Sequence, residues 1–308
     1  MKIVTLTLNP AFDVHCFAEN FKPYHESIAK ITSKEAGGKG VNVSRALQSN
    51  GVDNLAVVIV GNENGEEFVK ALEKDGLNVA PVYANGRIRE NITLHEKSNP
   101  ETRISFEGFS CDAEILSQVI ACVGEVDAQT IITFTGSIPK GVNVLDVLEM
   151  LKTFKQKGAR VAIDSRSVSL EQLIEFKPWL IKPNKDETEH YTSKHIESVN
   201  DAVDIAKTLC GQGVENAVVS LGGEGAVLAC KEGVFYAKTP DVQVTSTIGA
   251  GDSMIAGFID GTVKEMSSQN VLKRASAFGT SACIQEGTKP PTNEDIQKIE
   301  KQIIVTEV

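Results

Sequence analysis

The chain has 308 residues, 41% of them hydrophobic and 23% charged, with a formal net charge of −10. That length can bury a large core, as one large α/β domain or as two smaller ones. The acidic balance argues against a nucleic-acid backbone as partner, yet leaves room for a local cationic pocket that takes a phosphorylated metabolite.

Ile3 to Leu8 is rich in β formers and ends at Asn9-Pro10, which predicts a first strand running into a loop that carries Asp13. Residues 14–35 are mixed, with Val14, Cys16, Phe17, Ile28 and Ile31 as candidate strand positions. Gly37-Gly38-Lys39-Gly40 then leads into a helical stretch from Val41 to Gln48. Leu55 to Val60 is a continuous apolar run, expected of a strand buried on both faces. Glu63 to Asp75 is amphipathic and stops at Gly76. From Val79 to Phe106 the helical period disappears; Ile92 to Glu96 and Thr102 to Phe106 read as strands joined by a turn at Ser98-Asn99-Pro100. This stretch and residues 14–35 are expected to pair into one small sheet beside the main domain. After Phe109 the alternation is regular. Helices at 112–122, 143–157, 168–176 and 200–212 each precede a strand, at 130–134, 159–163, 179–182 and 216–220. That order implies a mainly parallel sheet covered on both faces. A hairpin follows at 226–237, and then helices at 250–264, 268–285 and 293–302.

The six cysteines form no CxxC pair and lie in apolar segments, which reads as reduced thiols in a cytoplasmic protein. The five histidines lack ligand spacing, so no dedicated transition-metal site is expected. No apolar run approaches a membrane span, and Met1 to Leu6 reads as a strand rather than a signal peptide, so no membrane partner is expected.

Ligands collect beyond the carboxyl ends of parallel strands. Asp13, Ser137, Asp164, Asn184, Glu187 and the pair Gly222-Gly223 all fall at such ends. Gly37-Gly38-Lys39-Gly40 brings a lysine and Asn42 to a helix start, where a polar or anionic ligand fits. Arg87, Arg89 and Arg103 on the small sheet are read either as charges that protect its edge or as a clamp on a phosphate. Gly249-Ala250-Gly251-Asp252 joins a permissive loop to the first turn of a helix, a ready anion site that also holds a carboxylate. Asp252 is expected to be both the cap of that helix and a base beside a bound phosphate. Walker A, dinucleotide and protein-kinase motifs are all missing, which sets aside a nicotinamide dehydrogenase.

Seven motifs in order carry a resemblance over essentially the whole chain. They are Leu8-Asn9-Pro10-Ala11-Phe12-Asp13, Gly37-Gly38-Lys39-Gly40-Val41-Asn42-Val43-Ser44-Arg45, Arg89-Glu90-Asn91, Gly136-Ser137-Ile138-Pro139, Lys182-Pro183-Asn184-Lys185-Asp186-Glu187, Ser220-Leu221-Gly222-Gly223-Glu224-Gly225 and Gly249-Ala250-Gly251-Asp252. With them the chain resembles the phosphofructokinase-B group of ribokinase-like sugar kinases, and within it the bacterial 1-phosphofructokinases and tagatose-6-phosphate kinases. The resemblance implies a single ribokinase-like domain over residues 1–308, a three-layer α/β/α core, and a β-sheet lid from about 14–35 and 87–108. It implies ATP-dependent phosphorylation of a sugar hydroxyl. Asp252 would take the hydroxyl proton, and the N–H groups of Gly249, Ala250 and Gly251 would stabilise the transferring phosphoryl group. Asn184 and Glu187 would hold Mg²⁺ through water. Lys182, Asn184, Ser220, Gly222, Gly223 and Gly225 match the nucleotide site, with Ala277 and Ser281 beside the adenine. Asp13, Gly38, Lys39, Asn42, Arg89, Asn91, Arg103 and Ser137 match the sugar-phosphate site. Fructose 1-phosphate is the first acceptor implied and tagatose 6-phosphate the second, ahead of fructose 6-phosphate. A homodimer through the lid is implied as well. A non-catalytic sugar-phosphate or nucleotide sensor on the same scaffold is the reading from a different class. One departure stands out: relatives read Asp-x-Ser-Gly where this chain has Asp164-Ser165-Arg166-Ser167.

Overall fold

The computed structural model describes residues 1–96 and 101–308; the turn expected at Ser98-Asn99-Pro100 lies outside the described residues. In chain order, β1 (Lys2–Thr7), β2 (Ala11–Phe17) and β3 (Lys30–Gly37) lead into α1 (Lys39–Gln48). Then come β4 (Leu55–Gly61), α2 (Gly65–Lys74), β5 (Asn78–Ala84), β6 (Arg89–His95), β7 (Thr102–Ser105) and α3 (Ile115–Val123). The alternating part runs β8 (Thr130–Thr135), α4 (Val144–Gln156), β9 (Arg160–Asp164), α5 (Leu170–Phe176), β10 (Leu180–Ile181), α6 (Lys185–Thr192), α7 (Val199–Gly211) and β11 (Asn216–Ser220). It closes with β12 (Ala226–Cys230), β13 (Gly233–Lys238), α8 (Ala250–Val263), α9 (Ser268–Cys283), α10 (Asn293–Glu300) and β14 (Ile304–Glu307).

The large sheet has the order β14-β13-β12-β11-β10-β9-β8-β1-β4-β5. From β5 to β11 every pairing is parallel, and β12, β13 and β14 add antiparallel strands at one edge. Parallel strands must be buried on both faces, and β4 and β8 are buried along nearly their whole length, β4 as an apolar run and β8 with three threonines among its apolar residues. Alternate residues feed two separate cores. Val4 and Leu6 of β1 pack with Phe68 of α2, Val119 of α3, Leu151 of α4 and Ala206 of α7. Ile3 of the same strand belongs with Leu47 of α1, Phe258 of α8, Leu272 of α9 and Ile296 of α10. Helices therefore cover both faces, giving three layers, α/β/α.

The second sheet is smaller, in the order β3-β2-β6-β7. Its strands begin at Ala11, a few residues earlier than the sequence suggests. Phe12, Val14, Cys16 and Leu94 are buried in the main core, and Phe12 meets Phe68 edge-on with ring centroids 5.2 Å apart. The residues between them point to the opposite side, so Asp13 and Asn91, paired across β2 and β6, share the other face.

α8 and α9 are pressed together. A Cβ on Gly257 would lie 2.8 Å from Ala275 Cα and 2.8 Å from Phe278 Cβ, so glycine lets the two backbones approach. Behind that contact, fully buried Asp260 accepts from Arg274 at 2.6 Å and pairs with Lys264 at 2.8 Å, and Arg274 reaches Glu300 of α10 at 2.9 Å. This network fixes three helices relative to one another. It therefore also fixes the first turn of α8.

Candidate active site

Because the parallel strands point one way, the loops after β1, β8, β9, β10 and β11 gather along one edge of the sheet. They enclose a cavity of about 1020 Å³. α8 and the small sheet supply its other walls.

The first turn of α8 forms the centre. Gly249 has φ 77°, a left-handed conformation that suits glycine, and it is the residue at which the helix begins. The N–H groups of the first turn have no intrahelical acceptor and carry the positive end of the helix dipole. Asp252 does not cap the helix as expected. It is the third helical residue, because the left-handed turn at Gly249 starts the helix at Ala250, and its side chain makes no cap bond. The carboxylate turns inward instead, where its Oδ2 accepts from Asn42 Nδ2 at 2.9 Å. Asp252 is only 5% exposed, and this burial pushes its pKa up to about 6, against the pull of Lys39, the Asn42 hydrogen bond and Lys182.

Two cations stand beside it. Lys39, the first residue of α1, donates to Asp164 Oδ2 at 3.1 Å. Burial draws the Lys39 ammonium down, but Asp164, Asp252 and Glu187 outweigh it and hold its pKa above the usual lysine value. Lys182 is 5% exposed and lies 3.9 Å from Asp164 Oδ1. A Cβ on Gly251 would meet the Lys182 ammonium at 3.0 Å, so that charge sits against the first turn of α8. Asp164 thus holds two lysines at the point where the anion-attracting helix start faces the cavity.

At the small-sheet end, Asn91 donates to Asp13 Oδ1 at 2.9 Å, and Asn9 donates to Ser137 Oγ at 3.0 Å. Arg89 is held over the Asn9 and Pro10 carbonyls, each at 3.4 Å, and burial lowers its pKa. Arg103 lines the same end and pairs with Glu101 at 3.0 Å. Arg87 does not line the cavity; it pairs with Glu90 at 3.6 Å. At the other end, Ser220, Gly222, Gly223 and Gly225 form the loop after β11. Gly222 and Gly223 have open space where a side chain would be, whereas Gly225 is packed against the Ala237 carbonyl. Between the two ends, Asn184 caps α6. Its Oδ1 accepts from Glu187 N at 2.8 Å and its own N–H donates to Glu187 Oε2 at 3.1 Å, a reciprocal capping box.

A cavity with a buried carboxylate, two lysines and a glycine loop is what a phosphoryl-transfer enzyme requires. Residues 7–295 match the sequence profile described as pfkB family carbohydrate kinase. The chain belongs to this family. It is 31% identical over 288 residues to the 1-phosphofructokinase of Escherichia coli (strain K12), covering 92% of this chain and 91% of that one. It is also 31% identical over 317 residues to the tagatose-6-phosphate kinase of Staphylococcus epidermidis, covering 99% and 100%. Among solved structures, the phosphofructokinase-2 of Escherichia coli in complex with substrates and products superposes with a TM-score of 0.88 at 27% identity, covering 98% and 99%. The protein is therefore a carbohydrate kinase, a phosphotransferase with an alcohol group as acceptor, and membership in the family implies ATP as donor.

Most of the pfkB motif residues meet in the one cavity: Asp13, Gly38, Lys39, Asn42, Arg89, Asn91, Arg103, Ser137, Lys182, Asn184, Glu187, Ser220, the three loop glycines and Gly249 to Asp252. Ala277 and Ser281 do not line it. Both are fully buried in α9, and Ala277 packs in the α8–α9 core. The face of α9 that opens on the cavity carries Ser276, Gly279, Thr280 and Cys283, one residue out of phase. The reading from sequence also passed over Thr7, Thr135 and Thr288, which line the cavity. A strand-end position was the available signal for the first two; Thr288 carries none.

Proposed function

We propose that the protein transfers the γ-phosphate of ATP to a hydroxyl of fructose 1-phosphate, giving fructose 1,6-bisphosphate. The observation that carries the reading is Asp252, a buried carboxylate beside the first turn of α8 with Lys39 and Lys182 close by. A pKa near 6 suits a general base that is ionised at neutral pH and still accepts a proton readily.

In this scheme the loop after β11 receives the nucleotide and the small sheet closes as a lid over the acceptor, residues 1–308 acting as one domain. Asp13 and Asn91 hold sugar hydroxyls. Arg89 and Arg103 meet the acceptor phosphate, for which the guanidinium fork is suited. Lys39 and Lys182 balance the charge of the transferring group, and the N–H groups of Gly249, Ala250 and Gly251 take its oxygens. Asp252 accepts the proton as the sugar oxygen attacks. Positioning and neutralisation supply most of the acceleration.

Asn184 and Glu187 are hard oxygen donors, as Mg²⁺ prefers. Both Glu187 oxygens already accept a hydrogen bond, and among the described residues no three His, Cys, Asp or Glu side chains converge on a metal position. The set fits Mg²⁺ held through water, not by direct ligation. Bound there, the cation supplies further neutralisation of phosphate oxygens.

Tagatose 6-phosphate is the second acceptor, since the tagatose-6-phosphate kinase relative is as similar, at 31% identity, as the 1-phosphofructokinase. A homodimer through the lid is favoured by exposed Ile28, Ile31, Ile104 and Phe106 on the lid segments. A cytoplasmic setting agrees with six free cysteines, and among the described residues no helix is long and apolar enough to cross a membrane.

ADP release measured across a panel of sugar phosphates tests the reading. Fructose 1-phosphate is expected to give the highest kcat/KM. Preference for tagatose 6-phosphate moves the assignment to the second acceptor. Tight binding with no turnover on any sugar phosphate replaces the kinase by a sensor.

A further inference from the structure

Arg166 stands two residues beyond β9, and it lines the cavity. Its Nε donates to Glu187 Oε1 at 2.8 Å, and its side chain is 75% exposed while that of Glu187 is 11% exposed. The other Glu187 oxygen is taken by the Asn184 N–H. Glu187 therefore grips Arg166 by one nitrogen only. The two terminal nitrogens make no hydrogen bond to any described residue.

On an open surface such a pair would contribute little. Here its place in the sheet gives it a direction. β9 and β10 are neighbours, and Arg166 and Glu187 follow them in turn. The guanidinium, paired with Glu187 beyond β10, thus lines the same cavity as the glycine loop after β11 and as Lys39, Asp164 and Lys182. β10, which leads into Asn184 and Glu187, stands in the sheet between β11, which leads into the glycine loop, and β9, which ends at Asp164. The acceptor residues Asp13, Asn91 and Arg89 lie on the other side, beyond β8 and β1 and on the small sheet. A guanidinium that lines the cavity with its two terminal nitrogens unused matches the oxygens of a phosphate.

We propose that Arg166 is a donor-phosphate-binding residue, parked on Glu187 until a nucleotide polyphosphate arrives. This rests on the reading of the protein as an ATP-dependent kinase. It assigns to the donor side a second cation beside Lys182. The contact takes over part of the neutralisation that a divalent cation gives, so its effect is largest when the nucleotide carries no metal.

The test is calorimetric binding of a non-hydrolysable ATP analogue, ADP and adenosine to wild type and R166A, each with and without Mg²⁺, alongside acceptor KM. In R166A the analogue without Mg²⁺ is expected to bind about tenfold more weakly. The loss shrinks when Mg²⁺ is present, while adenosine affinity and acceptor KM stay as in wild type. Equal analogue affinity in the two proteins overturns the inference and leaves the kinase reading intact. A raised acceptor KM with unchanged nucleotide affinity also overturns it, by moving the cation to the acceptor side. Parallel loss of adenosine affinity overturns it as a distorted pocket. A wild-type protein that binds no nucleotide overturns the kinase reading and this inference with it.

Discussion

Replacing Asp252 by asparagine separates its chemical role from its structural one. The folded-state pKa is raised from 3.8 to about 6 by burial, a shift of about two units. At 1.36 kcal/mol per unit, the ionised carboxylate costs the fold about 3 kcal/mol at neutral pH. The sign follows from linkage. The folded state binds this proton more tightly than the unfolded state, so the penalty is absent below about pH 4. It grows as pH rises from the unfolded pKa of 3.8 to the folded pKa of about 6 and is complete above about pH 7. Asparagine retains an oxygen to accept the Asn42 hydrogen bond and carries no charge. D252N should therefore be about 3 kcal/mol more stable than wild type at pH 8 and equal to it at pH 4, in urea unfolding at each pH. The same variant should bind ATP normally and lose several orders of magnitude in turnover. Stability equal to wild type at pH 8 would refute the account of the buried charge, and near-normal turnover would remove Asp252 from the proton transfer.

Other consequences are open to measurement. The pH profile of kcat/KM should show an acidic limb with an apparent pKa of about 6, below which activity falls tenfold per unit; a flat profile down to pH 5 would contradict the assignment of the base. D260A should destabilise by about 3–5 kcal/mol in denaturant unfolding, because it strands Arg274 and Lys264 beside a buried gap, and Glu300 keeps the loss toward the lower figure. G257A gains about 1 kcal/mol of helix propensity and loses about 1–3 kcal/mol to overpacking against Ala275 and Phe278, so its Tm should fall; a higher Tm would mean that α9 yields easily.

The parallel strands were legible because burial on both faces writes itself as β-rich runs with few charges, unbroken and apolar at 55–60 and interrupted only by threonine at 130–134. Elements that bury little were not. α6 reads Lys-Asp-Glu-Thr-Glu-His-Tyr-Thr and buries only Thr188, so it has no apolar stripe to find; its signal was the Asn-x-x-Glu spacing of its capping box, noticed only as a metal motif. β5 merged with the strands of the small sheet because nothing but its parallel pairing to β4 marks where the main sheet ends. β14 is a largely exposed edge strand closing the far side of the same sheet. At the site, residue types were legible and directions were not. Ala277 and Ser281 share a helix with the residues that line the cavity, yet the rotation of α9 is set by its packing on α8 through Gly257. The partner of Arg166 is 21 positions away in sequence, across a strand crossover that no local pattern specifies.

The hydrogen bond between Asn42 and Asp252 spans 210 positions. On the proposed assignment every acceptor-side residue lies at or before Ser137, while the proposed proton acceptor, Asp252, arrives only with α8. During synthesis, a chain can complete its first sugar contacts long before it can perform chemistry. Turnover is thus a strict reporter of full-length closure: two fragments divided in the 141–143 loop after β8 should each be silent and regain activity only on reassociation.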